Sequence, residues 1–426
     1  MSHLCMPNPK PRRANEAAPP AGFGTKILDM ARQLARFSET PDGLTCSYLS
    51  PAHKAAAAQL RDWMQAAGLV AQIDAVGNVV GRYSSAAPAA KTLIVGSHYD
   101  TVVDAGQFDG RLGILTALAV AEYLSRAGRP PPFHLDVIGF AEEEGVRFAA
   151  PYLGSSAIAG RFDDAILQRS DKNGVSLESL LREQGVDRDA IQGLARPPET
   201  LRGYLEVHIE QGPVLLDKNL PVGIVTAIAG SARFHISVRG TAGHAGTVPM
   251  PLRHDAAAAA AEIVLAVERR CGEAATLVGT VGQLAVPHGL INVIPGSCEL
   301  SLDVRAGDDG VRDGAIADIV AAAQDIAARR GVTVEISEIG SHPAVPCSDA
   351  MQAACADAIA RTGVAPFHLA SGAGHDAVMF GGLTEIGMLF VRCGNGGVSH
   401  SPLESVTVED ADVAARVLLD VLVNLD

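Results

Sequence analysis

The sequence predicts an α/β protein: a mixed, mostly parallel sheet covered by helices, interrupted by an inserted α+β domain. Three observations carry this. The chain has 426 residues, 48% of them hydrophobic and 19% charged, which is long for one core and ordinary for a folded protein. Short apolar runs alternate with helix-period segments through the first half, as in βαβ units. Over roughly residues 231–340 the order becomes β-α-β-β-α-β, a two-layer unit in its own right.

The elements follow in order. KILDMARQLARF and AHKAAAAQLRDWMQAAG read as helices, the second closed by Gly68. VAQIDAVGNVVGRY reads as a hairpin. TLIVGSH is a buried strand, LGILTALAVAEYLSRAG a helix ending at Gly128, and HLDVIGFAE the next strand. In the insert, RFHISVRG, ATLVGTVGQLAV, CELSLDVRA and VTVEISEIG are strands. HDAAAAAAEIVLAVERRCG and DGAIADIVAAAQDIAARRG are its helices. Their alanine content suits high helix propensity and close packing on a sheet. A helix, SDAMQAACADAIARTG, and a strand, IGMLFVRC, then resume the first style. The expected layout is a flexible tail at 1–24, one domain from 25–228 and 342–426, and an insert at 229–341.

Composition excludes several partners. Lys plus Arg is 34 against 48 Asp plus Glu, a net charge of −14, which disfavours nucleic acid and anionic membrane. No apolar run reaches the roughly 18–20 residues of a membrane span. The Pro- and Ala-rich N-terminus has no apolar signal-peptide core. The seven cysteines are scattered, with no CxxC spacing, and suit free thiols in the cytoplasm.

Five of the thirteen histidines lie in polar, Gly-rich settings: His98, His208, His244, His375 and His400. In GSHYDTVVDAGQFDG, His98 closes an apolar strand, and Asp100 is placed to orient its imidazole. Asp109, before Gly110, reads either as a metal ligand or as the cap of the following helix. AEEEGVRF places Glu142, Glu143 and Glu144 together at a strand end. Adjacent side chains there diverge, so one can hold a metal while its neighbour serves as general base to an attacking water. A His/Asp/Glu set without Cys suits Zn²⁺ or Mn²⁺ in an open site. Three His and two carboxylates are too many for one open metal site and fit two metals sharing a carboxylate.

Taken together, GSHYDTVVDAGQFDGRLG, AEEEGVRF, VHIEQGPVL, GTAGHAGTVPMPLRHDA, INVIPG, SLDVRA, SGAGHDA and GVSHSPLE resemble the amidase/hydantoinase–carbamoylase branch of the dinuclear metallopeptidase clan. The likeness runs in order from about residue 26 to the C-terminus. It implies a zinc-exopeptidase-like catalytic domain, an inserted lid and dimerisation domain, and two divalent ions, Zn or Mn, per subunit. It implies Asp109 as the bridge, His98 and His208 at one ion, Glu144 and His400 at the other, and Glu143 as general base. His244 would stabilise the oxyanion from across a homodimer. Asn292 and Arg305 would bind the substrate carboxylate, with Gln211, Gly372 and Gly374 as further substrate contacts. Glu142 matches no required role and is expected behind the site or at the surface. Members of the branch hydrolyse ureido (N-carbamoyl) groups of small carboxylates. The spelling of AEEEGVRF and GMLFVRCGNGGVSHSP is most similar to allantoate amidohydrolases, ahead of N-carbamoyl-L-amino acid hydrolases and β-ureidopropionases; aminoacylases and dipeptidases of the clan are more distant.

Overall fold

The structure, a computed structural model, describes residues 22–425. The segment 1–21 of the expected tail therefore lies outside the described residues. The first helix, Phe23–Leu34, starts at Phe23 rather than Thr25. The N–H groups of Gly22 and Gly24 donate to Asp412, at 3.0 and 3.4 Å, and Phe23 packs edge-on against Tyr123.

The chain divides into two compact units. The first comprises Met1–Thr226, Cys347–Leu369 and His375–Asp426. At its centre lie the strands His134–Phe140, Thr92–His98, Leu201–Ile209 and Ile386–Val391, in that order and all parallel. The antiparallel hairpin Val70–Ile73 and Val79–Tyr83 extends one side, and the start of Val222–Ile228 the other. Thr92–His98 is buried along its whole length, as a central parallel strand covered on both faces must be. The helix Arg111–Arg126 lies directly on this sheet: a Cβ on Gly113 would sit 2.0 Å from the Val207 carbonyl. The helices Pro51–Ala66, Asp349–Arg361 and Val408–Asn424 begin with Ser50, Ser348 and Thr407, whose hydroxyls accept a first-turn N–H. The C-terminal helix Val408–Asn424 and the strand Leu201–Ile209 are elements that sequence reading did not delimit.

The second unit comprises Ala227–Pro346 and Ala370–Gly374. Its strands Gly230–Arg239, Ser297–Ala306 and Thr333–His342 carry two helices, Ala256–Cys271 and Asp309–Arg330. Ser297–Ala306 alternates strictly, its buried residues facing the helices. Ala256, Ala259 and Ala260 are fully buried, so the Ala-rich run serves close packing. ATLVGTVGQLAV forms two short strands, Leu277–Thr280 and Leu284–Ala285, where one was expected; both pair with Ser297–Ala306. The unit reaches beyond 229–341 because Ser371 accepts the Ala229 N–H at 2.8 Å, Gly372 accepts from Arg305, and Asp309 accepts the Ala344 N–H.

Candidate metal centre

The parallel strands of the first unit aim their C-terminal ends at one place, where α/β sheets bind ligands. His98 ends one such strand and His208 lies near the end of its neighbour; their rings stand 5.7 Å apart. The third strand ends at Phe140 and runs straight into Ala141 and the three glutamates.

The chain after His98 makes the first half of the site. His98 Nδ1 lies 3.2 Å from the Asp100 carbonyl and 3.4 Å from its carboxylate, which leaves Nε2 as the lone-pair nitrogen. Asp100 also accepts the Glu143 and Glu144 N–H groups, one on each oxygen and both at 3.1 Å. It therefore fixes the imidazole and the acidic turn together. Asp109 sits in a tight three-residue turn: Arg111 N–H donates to the Asp109 carbonyl at 2.7 Å across Gly110, whose φ is 64°. Gly110 is required there, since a Cβ would lie 2.4 Å from the His98 ring. The Asp109 side chain caps no helix; the following helix, Arg111–Arg126, has Gly110 at its N-cap and no side-chain cap. Instead its carboxylate faces histidines: His208 Nε2 at 3.3 Å, His98 Nε2 at 3.9 Å and His400 Nε2 at 3.1 Å.

His208 Nδ1 is 2.8 Å from the Ile209 carbonyl and donates its proton there, so Nε2 also presents a lone pair. His400 enters from a loop with φ 53° and stands 3.6 Å from Glu144. Two ligand groups result. His98, Asp109 and His208 form one; Asp109, Glu144 and His400 form the other, with ligand atoms in each within 4.8 Å of one another. Asp109 is common to both. Glu143 joins His98 and Glu144 in a third such group.

Electrostatics support the fit of these residues to cations. Burial pushes Glu143 well above the usual carboxylate range, against the pull of His98, and pushes Glu144 up to about 7. Burial also works to raise Asp109, but the His400 hydrogen bond and the charges of His208, His98 and His400 hold it below its ordinary value. Burial lowers His208 to about 4, which favours its neutral form. The ion pairs described for Asp109 and Glu144 are all with histidines. Oxygen and imidazole donors crowded in this way, without a lysine or arginine in those pairs, are a donor set that fits divalent ions.

Other expected residues sit differently. Glu142 is not at the surface: it is fully buried. Burial and the Asp100 carboxylate push its carboxyl well up. Gln211, expected at the substrate, turns its amide onto both Asp109 oxygens at 3.1 Å. In the second unit, His244 pairs with Val293 in a short ladder, and Ala245 N–H donates to the Asn292 carbonyl at 3.0 Å, so His244 and Asn292 share one exposed corner. Arg305 spends its guanidinium on Asp303, at 2.9 and 3.0 Å, and on the Gly372 carbonyl at 2.8 Å. Gly372 thus presents its carbonyl to Arg305, and open space surrounds its Cβ position. Gly374 closes the same segment of the second unit.

Sequence reading passed over a buried layer beneath the ligands. Glu206 accepts from Ser97 Oγ, Tyr204 Oη and the Ala377 N–H, and joins His208 and His375 in a further cluster. The signal was present, since Glu206 and His208 are two apart on a strand and share a face. Asp376 is fully buried beside them. Glu404, in the SPLE stretch, is buried too, and burial pushes it up to about 7.

Comparison with known proteins adds the lineage. The family model for peptidase family M20/M25/M40 matches residues 94–424. Allantoate deiminase 2 of Glycine max is 39% identical over 425 residues, covering 92% of this chain and 88% of that protein. The N-carbamoyl-L-amino acid amidohydrolase of Geobacillus stearothermophilus is 39% identical over 396 residues, covering 93% and 97%. The crystal structure of an amidase of the hydantoinase/carbamoylase family from Burkholderia multivorans superposes with a TM-score of 0.87 at 31% identity, covering 94% of this chain and 97% of that one.

Proposed function

The chain belongs to peptidase family M20/M25/M40, in its hydantoinase/carbamoylase amidase branch, and from that premise we propose that it hydrolyses the ureido C–N bond of a small carboxylate, allantoate first. It is a metal-dependent C–N hydrolase of the amidohydrolase kind. One observation carries the reading: Asp109 stands between a His98–His208 pair and a Glu144–His400 pair, with Glu143 beside them.

In this reading His98, Asp109 and His208 hold one divalent cation, and Asp109, Glu144 and His400 hold a second, as Zn²⁺ or Mn²⁺. Bound there, the cations polarise the ureido carbonyl and make water a nucleophile near neutral pH. Glu143 takes the proton of the attacking water and returns it to the leaving nitrogen. Burial raises the Glu143 carboxyl above the ordinary carboxylate range, which makes it a stronger proton acceptor than an exposed glutamate. The carbonyl carbon gains an oxygen and loses ammonia, and the carbamate left behind releases CO₂. From allantoate the product is ureidoglycine.

The reading gives Asp100 the positioning of His98 and of the acidic turn. It gives His244 the developing oxyanion, across a homodimer built on the second unit, and Asn292 and Arg305 the substrate carboxylate. Gln211, Gly372 and Gly374 are its further substrate contacts. For Gln211 this requires the amide to leave Asp109. The buried free thiols of Cys46, Cys271, Cys298, Cys347, Cys355 and Cys393 support a cytoplasmic setting. Among the described residues no helix is long and apolar enough to cross a membrane.

The substrate is tested by ammonia release from Mn²⁺-loaded protein on allantoate, an N-carbamoyl-L-amino acid and N-carbamoyl-β-alanine, side by side. Preference for allantoate supports the proposal. Preference for an N-carbamoyl-L-amino acid, the substrate class in the Geobacillus relative's name, keeps the chemistry and replaces the substrate. No ammonia from any of them, with metal bound, overturns both.

A further inference from the structure

Glu404 stands outside the ligand groups yet touches the loops that carry two of the ligands. One carboxylate oxygen accepts the N–H of Phe108 at 2.7 Å and of Asp109 at 3.1 Å. The other accepts the Ser399 hydroxyl at 2.9 Å. Phe108 and Asp109 are 296 and 295 positions away in sequence, while Ser399 immediately precedes His400. Gly106 makes room for the contact, since a Cβ there would lie 2.4 Å from the Glu404 side chain.

The two halves of the centre are built with unequal rigidity. His98 and His208 rise from adjacent parallel strands held by a backbone ladder. His400 sits on a loop, half exposed, with φ 53°. A histidine keeps that left-handed conformation only where its surroundings hold it. Asn395 closes the loop by donating to the Leu403 carbonyl at 2.6 Å. Glu404 ties the loop to the Asp109 backbone, while the Gln211 amide reaches the Asp109 carboxylate at 3.1 Å, Ser399 Oγ at 3.4 Å and His400 Nε2 at 3.3 Å. Ser399 Oγ also lies 3.3 Å from Asp109 Oδ2, but a hydroxyl has one proton to give. The contact to Glu404, at 2.9 Å, is the shorter of the two.

We propose that Glu404 is a positioning residue that keeps the His400 loop in register with Asp109. It thereby bears more on the affinity of the cation between Asp109, Glu144 and His400 than on that of the cation at His98 and His208, which shares Asp109 but takes its other ligands from strands. Without Glu404, two backbone N–H groups lose their acceptor and the Ser399 hydroxyl loses its anchor. The His400 loop then drifts while the strand-borne histidines stay in place. The inference rests on the two-cation reading.

The test uses the full chain stripped of metal by chelator, then titrated with Zn²⁺ by calorimetry and with Mn²⁺ by electron paramagnetic resonance, which reports a coupled ion pair. Wild type should take two cations per chain. Glu404→Ala should keep the first and weaken the second by about 10–100-fold. Glu404→Gln should recover most of the loss, since its carbonyl oxygen still serves the two amides and the Ser399 hydroxyl can rotate to accept. Ser399→Ala, which cuts the same tie while Glu404 keeps the Phe108 and Asp109 N–H groups, should weaken the second cation selectively; it carries the test if Glu404→Ala fails to fold. Two cations in wild type with both affinities within twofold in the variants, or with both weakened alike, overturns the inference alone. A single cation in wild type overturns the two-cation reading and the inference with it.

Discussion

Replacing Gly110 by alanine tests whether a single backbone turn sets the geometry of the centre. Gly110 has φ 64° and ψ −52°, and the Arg111 N–H to Asp109 carbonyl bond of 2.7 Å closes the turn. A side chain in such a conformation costs about 1–3 kcal/mol from the backbone alone. The added Cβ would also meet three atoms of the His98 ring at 2.4–2.5 Å, where ordinary contact begins at 3.4 Å. The ring must retreat by about 1 Å, or the turn must open. The ring resists, because Nδ1 is held by Asp100 at 3.2 Å and the His208 ring lies alongside. Either movement separates Asp109 from His98. The expected result is a loss of about 2–4 kcal/mol of stability and at least a tenfold loss of cation affinity. Guanidinium unfolding with chelator present measures the first apart from ligand linkage, and Zn²⁺ calorimetry measures the second. A variant within about 0.5 kcal/mol of wild type, with unchanged Zn²⁺ affinity, would refute the reasoning.

Other outcomes follow from the same geometry. Glu143→Gln should retain its cations while ammonia release falls by about 10²–10⁴-fold; full turnover would remove Glu143 from the base role. His53 is buried, with Nε2 2.6 Å from the Ala141 carbonyl, and burial lowers it from 6.5 to about 4. The unfolded chain therefore takes up this proton before the folded one does. The stability tied to neutral His53 is whole above pH 6.5 and is lost as pH falls toward 4, by about 3 kcal/mol. His53→Gln should flatten urea-unfolding stability across that window, and an unchanged pH slope would count against the assignment. Arg305→Ala should raise KM by about 10–100-fold with a smaller change in kcat, measured by steady-state ammonia release; an unaltered KM would leave Arg305 to its Asp303 and Gly372 contacts. Prolonged chelation should abolish turnover, and Zn²⁺ or Mn²⁺ should restore it; activity that survives verified metal removal would contradict the metal-dependent chemistry.

Much of the centre was legible because its residues lie in short, marked stretches. His98 and Asp100 end an apolar strand, and the glutamates end another. Gly110 follows Asp109 where only a flexible backbone fits. What was not legible lay in long-range contacts. The sequence left Glu142 either behind the site or at the surface, and the fold decides for complete burial. The partners that hold the Gln211 amide and the Arg305 guanidinium, Asp109 and Asp303, were likewise not readable from the local sequence. The limits of the insert also depended on pairing, since Ala370–Gly374 joins it through contacts that include bonds to Ala229 and Arg305.

By itself the sequence determined the alternation of strands and helices, because side-chain periodicity is a local property of the chain. It also determined the ligand chemistry, because His, Asp and Glu without Cys specify hard or borderline cations wherever they meet. Tertiary structure alone decided that Glu404 should hold Ser399 and the Asp109 backbone at once and that the Gln211 amide should lie on the Asp109 carboxylate. Those relations tie Asp109 to residues 295 and 102 positions away. They arise from the order in which parallel strands sit side by side, and no local pattern encodes that order.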